Sequence, residues 1–299
     1  MQFENLTRKQ ALCLMLMATA LWSIAGMVTR QLQSAQGFEI TLIRSVFAGL
    51  TIIVLWPFLY PNKRLLDSLR TGWPLWISGL CWSIMFTCFM ISLTMTSVAN
   101  VLVAQSIGPV VTALISWVWL KRQLPARVWV VTFLAAMGIA CMFILDAQAL
   151  HGKHLIGFLI AFCIPLAAAC NWNVVERYGK GIDFIAAVLI GAVISSLVML
   201  PVSMPFKSNL HDLVLLAGLG VFQLGLPCAM CLLAAKHLRA PELSLLGLTE
   251  VLFGIALAVL FTDEKVGLST LIGGGFVIAV LAINELITLS ASANPIKTP

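Results

Sequence analysis

Charge is the scarcest property of this sequence. Acidic and basic residues together make up 10% of 299 residues, against 61% that are apolar. Water-soluble domains carry about a quarter of their residues charged. So few charges cannot cover a soluble body of this size, and the matching solvent for its outside is lipid. Long polar segments are missing too, so no loop can house a catalytic domain. No ATP-binding motif occurs, which argues against direct use of ATP. There is no cluster of His, Asp and Glu of the kind intramembrane enzymes need.

The charges that are present come in short runs, such as Arg8-Lys9, Lys63-Arg64, Lys121-Arg122 and Asp263-Glu264-Lys265. Between them lie apolar stretches of roughly 18–24 residues, the length a helix needs to cross a bilayer core of about 30 Å. The net charge of +6 therefore reflects loop placement and not a nucleic-acid surface. The cysteines all fall inside apolar stretches. Cys228-Ala-Met-Cys231 has redox-motif spacing, but no soluble thioredoxin-like unit surrounds it, and buried thiols pack as small hydrophobes. His151 and His154 share a loop without a third ligand, so no metal site and no cofactor are expected.

The N-terminus resembles a signal peptide, with Arg8-Lys9 before an apolar run and Ala18-Thr19-Ala20. The apolar run continues through Leu21 to Val28, so the segment reads as a retained first helix. Spans are expected at 10–29, 38–59, 73–93, 98–120, 127–145, 155–174, 184–203, 211–235, 242–262 and 267–288, with a disordered tail at 291–299. If the N-terminus is cytoplasmic, the inside segments collect Arg8, Lys9, Lys63, Arg64, Arg70, Lys121, Arg122, Arg127, Arg177, Lys180, Lys236, Arg239 and Lys297. The outside segments hold only Arg30, Lys153, Lys207 and Lys265. The positive-inside rule then puts both termini in the cytoplasm of an inner (cytoplasmic) membrane.

The chain also repeats. Ile107-Gly108-Pro109-Val110-Val111 aligns with Thr249-Glu250-Val251-Leu252-Phe253, and Val28-Thr29-Arg30 with Val175-Glu176-Arg177. The expected architecture is all-α and membrane-integral, with ten transmembrane helices arranged as two five-helix repeats, 1–150 and 151–290. An odd number of spans per repeat inverts the second. Inverted repeats of this kind enclose a site near the midplane in secondary transporters.

With Trp22-Ser23 in the first span, Arg44 within Leu42-Ile43-Arg44-Ser45, and the paired half endings at Gly108-Pro109 and Glu250-Val251, the chain resembles the drug/metabolite transporter superfamily. Within it, the likeness is to the EamA-type 10-helix exporters, over residues 10–288. The family pattern ends each half with a Glu-Pro helix, a Gly-Glu turn and a Gly-rich helix. Here the first half lacks the Glu and the second lacks the Pro. The Gly-Glu turns read Lys121-Arg122 and Asp263-Glu264. The resemblance implies a small-molecule transporter of the bilayer, with amino acid exporters among the familiar members.

Glu250 is the sharpest candidate residue. A carboxyl at mid-span costs around 2.5–3.5 kcal/mol on insertion scales, so it needs protein, water or a partner. It suits proton coupling or a substrate amine, and equally a hydrogen-bonded packing role. Its stripe is Gly247, Gly254 and Ala258. The related stripe of span four is Gln105, Gly108, Thr112 and Ser116. Trp22 and Ser23 on span one, Trp82 and Phe89 on span three, Asn171 and Trp172 on span six, and Gln223 on span eight complete the candidate substrate-binding set. Pro165 and Pro227 free backbone carbonyls beside them, which is tolerated next to a cavity. Arg44 reads as architectural. Gly273-Gly274-Gly275 reads as close helix packing.

The leading reading is a secondary transporter exporting a small polar metabolite, such as an amino acid or derivative, by alternating access. Coupling to a proton or other ion gradient is left open. The alternatives are another solute class (a lipophilic cation or drug, a nucleotide sugar or sugar phosphate) and, remotely, an integral membrane enzyme.

Overall fold

The computed structural model describes residues 6–35, 37–121, 126, 127, 129–131, 133, 134, 137, 138, 152–179, 181–238, 240–261 and 268–293. Among these residues every regular element is helical: α1 (Arg8–Thr29), α2 (Gly37–Leu59), α3 (Leu65–Leu69), α4 (Trp73–Met95), α5 (Val98–Ser106), α6 (Gly108–Leu120), α7 (Gly152–Ala161), α8 (Cys163–Tyr178), α9 (Ile185–Ser203), α10 (Leu210–Gly218), a π-helical segment at Leu219–Gly225, α11 (Leu226–Ala235), α12 (Ala240–Phe261) and α13 (Leu268–Ala293).

Seven segments among the described residues are long and apolar enough to cross a membrane: Arg8–Thr29, Gly37–Leu59, Trp73–Met95, Val98–Trp119, Gly152–Tyr178, Ile185–Ser203 and Leu210–Ala235. Helices α12 and α13 occupy the expected ninth and tenth spans. Most of the expected fifth span falls outside the described residues. So do the Arg122 and Asp263-Glu264-Lys265 loops, His151, Gly267 and residues 294–299, as well as the side chains of Ala258 and Glu285. Helix α13 runs to Ala293, beyond the expected start of the tail.

Sequence signals set the helix ends. Thr7 caps α1 in a capping box with Gln10, Ser97 caps α5 through Asn100 N, and Asn209 caps α10 through Asp212 N. Each cap satisfies amides that would otherwise be orphaned. Lys121, in the left-handed region at φ 51°, closes α6. Proline decides the interruptions. Expected span four is two helices meeting at Ile107 before Pro109, and span six is two meeting at Phe162 before Pro165. Span eight widens into its π turn just ahead of Pro227. Proline supplies no N–H, and its ring crowds the carbonyl four residues back.

The largest helix contacts join residues before 121 to residues after 152: α9 against α2 and α4, α1 against α12, and α4 against α8. Small residues permit these crossings. A Cβ on Gly191 would lie 2.5 Å from Trp82 Cβ, and one on Gly79 2.4 Å from Ile190 Cγ2. Hydroxyls of Ser45, Ser195 and Thr87 bond one another across α2, α9 and α4, at 3.1 and 2.9 Å. Trp73 and Trp76 are exposed near the start of α4, where aromatic belts form in membrane proteins, and Trp129 is exposed too.

Carboxylates tie the bundle together at both ends. At one end, buried Asp212 accepts from the backbone N–H groups of Gln33, Ser34 and Ala35 and from the Ser34 hydroxyl, all at 2.8–2.9 Å. Buried Glu39 reciprocates. It accepts from Lys207 N at 3.1 and 3.2 Å, from Ser208 N at 2.9 Å, and from the Ser208 hydroxyl. At the opposite end, Asp183 pairs with Lys63 at 2.8 Å and Lys236 at 3.4 Å, and Lys236 also donates to Tyr60 Oη at 3.2 Å. Burial alone would push the Asp183 carboxyl up, but the two lysines outweigh it and hold it below its ordinary value.

Two predictions follow from these ties. Asp212→Ala strands several buried donors, each costing about 1–3 kcal/mol when left unmade, so chemical unfolding in detergent should show a loss of at least about 3 kcal/mol; a change under about 1 kcal/mol would remove Asp212 as an anchor. Asp183, with its lowered pKa, adds stability above its unfolded value of about 3.9, and that stability disappears as pH falls through the lower folded value. The wild type should therefore exceed Asp183→Asn by on the order of 1 kcal/mol or less at neutral pH, since Lys63 is exposed. Melting curves across acid pH should show that gap closing below about pH 4.

Candidate functional site

A central cavity of about 160 Å³ lies between helices from both halves of the chain. Its aromatic wall is Trp22 from α1, Trp82, Phe86 and Phe89 from α4, and Trp172 from α8. Trp82 meets Phe86 with centroids 5.6 Å apart and Trp172 edge-on at 6.4 Å. Gln105, Gly108, Pro109 and Thr112 face the cavity from α5, the Ile107 break and α6, and Pro165 faces it from α8. Two helix interruptions thus open on the cavity, and Gln223, on the π turn at the third, lines it too. Helix α12 contributes Gly247, Glu250 and Val251.

The structure therefore brings together Trp22, Trp82, Phe89, Gln105, Thr112, Trp172, Gln223 and Glu250 from the set expected on sequence grounds. Ser23 and Asn171 are not on the wall. The Ser23 hydroxyl turns back to donate to Ala20 O at 2.7 Å, and buried Asn171 accepts from the Ser78 hydroxyl at 2.5 Å between α4 and α8. The two stripes diverge in the same way. Ser116 leaves the cavity to donate to Asn173 Oδ1 at 2.6 Å. At Gly254 an added Cβ would lie 2.5 Å from Leu102 Cδ1, so this glycine serves helix packing. Cys228 lies on the wall, and Cys228 and Cys231 are buried free thiols. No group of three or more His, Cys, Asp or Glu placed to hold a metal ion is found among the described residues.

Arg44 is the wall residue that sequence reasoning treated as architectural. It is fully buried and lines the cavity. Its Nη1 donates to Gln223 Oε1 at 2.9 Å and its Nη2 to Phe86 O at 3.2 Å, while its guanidinium lies 5.8 Å from the Phe89 ring centroid. Gln223 reaches it because the π turn presses on α2, where a Cβ on Gly220 would sit 2.6 Å from Arg44 O. Gln223 Nε2 also donates to Trp22 O at 3.3 Å, joining α1 to this brace. Across the site, Thr19 and Thr249 share a 2.8 Å hydroxyl bond that locks α1 to α12 one residue from Glu250. Among the described residues, neither Arg44 nor Glu250 has an ion-pair partner, and Glu250 has no hydrogen bond.

A multi-pass helical bundle with a charged, aromatic central cavity has the form of a membrane transporter. The chain belongs to the EamA-like transporter family, whose model matches residues 9–144 and 155–285 as two copies. Chains of solved structures share the fold. One crystal structure superposes with a TM-score of 0.67 at 18% identity, over 94% of this chain and 99% of the other. Comparison with curated proteins gives no match.

Replacing Gln223 with Met should cost about 1.5–3 kcal/mol, because it removes a hydrogen bond to a buried charge. Equilibrium unfolding in detergent measures this. A variant as stable as the wild type would show that Arg44 does not rely on Gln223.

Proposed function

We propose that the protein is a secondary transporter that exports a small polar metabolite, such as an amino acid or derivative. Transport proceeds by alternating access of two inverted five-helix repeats, 1–150 and 151–290. In this reading the chain crosses the inner membrane ten times, with both termini in the cytoplasm. The carrying observation is one cavity, walled by both family-matched halves, that holds one cation and one carboxyl without pairing them to each other.

A zwitterion answers both groups. Its ammonium meets Glu250, and its apolar body meets the indole and phenyl faces. The substrate would be bound by Trp22, Trp82, Phe89, Gln105, Thr112, Trp172, Gln223 and Glu250, with Ser23 and Asn171 supporting their helices from behind. A multiply charged nucleotide sugar or sugar phosphate fits less well, since the cavity wall carries one cation among the described residues. A lipophilic cation would suit Glu250 and the aromatic rings but would meet Arg44 with like charge.

The test is counterflow of radiolabelled amino acids in proteoliposomes, for the wild type and Glu250→Gln across a pH series. Losing a hydrogen bond to a charged group, worth about 1.5–3 kcal/mol, should slow transport roughly 10- to 100-fold. Unchanged rate and unchanged pH dependence would remove Glu250 from binding and coupling. Counterflow of organic cations in place of amino acids would move the assignment to a drug extruder.

A further inference from the structure

The proposed function uses Glu250 for the ammonium end of a substrate and leaves Arg44 without a ligand. Burying a guanidinium without a counter-charge costs several kcal/mol even after relaxation. The nearby acidic residue on its own helix, Glu39, is committed to the 207–208 loop. What Arg44 has is neutral: an amide oxygen, a backbone carbonyl and a ring face.

Its Nε has no hydrogen-bond partner. Two other residues of the same cavity wall share that condition, at Trp82 Nε1 and Gln105 Nε2. Buried polar groups are nearly always hydrogen-bonded, and an unpaired buried donor costs about 1–3 kcal/mol. Three residues that line a single cavity, one of them cationic, thus each hold a buried N–H donor that lacks an acceptor.

We infer that Arg44, Trp82 and Gln105 form an oxyanion subsite that takes the carboxylate of the transported solute, with Gln223 holding the guanidinium in place. The chemistry selects a monoanion. One guanidinium neutralises one carboxylate, and an indole N–H and an amide N–H complete its lone pairs without adding charge. Arginine suits the task because its planar fork can brace with two nitrogens and still present a third. The π turn is what makes this possible: it carries Gln223 to the Nη side of Arg44 and leaves Nε without a protein partner. This inference rests on reading the cavity as the substrate site, but it does not require the substrate to carry an amine.

The experiment is isothermal titration of the purified full chain in detergent. The probes are the common amino acids, their amides, which lack the carboxylate, and the matching acids, which lack the amine. A carboxylate-bearing probe should bind at least about tenfold more tightly than its amide. Gln223→Glu supplies Arg44 with an internal carboxylate, so it should melt no lower than the wild type and yet lose that preference. A merely structural Arg44 would leave the preference unchanged. The proposal is overturned if no carboxylate-bearing probe binds the folded wild type, if amides bind as tightly as acids, or if folded Gln223→Glu keeps the wild-type preference. Should Gln223→Glu fail to fold, the wild-type comparison of acid with amide still decides. Binding of the amine-free acids but not of the amino acids would keep the subsite and remove the amino acid reading.

Discussion

The placement of one buried guanidinium organises the centre of this protein. Arg44 sits on α2, is held by Gln223 of the π segment and by the Phe86 carbonyl of α4, and lies against Phe89. Those contacts tie two helices of the first half to one of the second. Gln223 then extends the network to α1 through the Trp22 carbonyl. In an apolar interior, a network with a charge at its centre is a strong constraint, because each member left unpaired costs more than it would in water. The local departures from regular helix serve it: Gly220 lets the π turn approach α2, and Pro227 terminates the turn.

Around that centre, the helices fall into groups with different reasons to stay together. Helix α2 and the segment 210–235 are fastened at one end by the reciprocal Glu39 and Asp212 contacts. At the other end the fastening is Asp183 with Lys63 and Lys236. Ties at both ends oppose opening of this group at either end. Of the other cavity walls, α5, α6, α8 and α12 carry the helix breaks at Pro109 and Pro165 and the carboxyl of Glu250.

Much of this was legible in the sequence, for definable reasons. Scarce charge and apolar runs of membrane length marked the helices, because lipid tolerates little else. Helical spacing put Trp82 and Phe89 on one face of α4, and mid-span depth singled out Glu250; all three line the cavity. Ser23 and Asn171 lie off the cavity wall, because a polar side chain in a helix has two outlets, a cavity or its own packing interface. Spacing does not distinguish Trp172, which faces in, from Asn171 beside it, which bonds Ser78. Arg44, which reads as architectural in the sequence, lines the cavity as well. Whether a buried cation is structural or ligand-facing depends on how many of its donors are already used, and that becomes countable only when its neighbours are placed. The tethering roles of Glu39 and Asp212 rest on loops distant in sequence, which no local pattern reports.

The central claim is that solute passes through the cavity between the two matched halves. Gly247 lines that cavity, and a Cβ built there meets nothing within 4 Å, so Gly247→Phe should fill it without disturbing the helix. Counterflow in proteoliposomes of a solute the wild type carries is the most direct measurement. The account predicts transport at background with an unchanged melting temperature. Transport at the wild-type rate by the folded variant would contradict it.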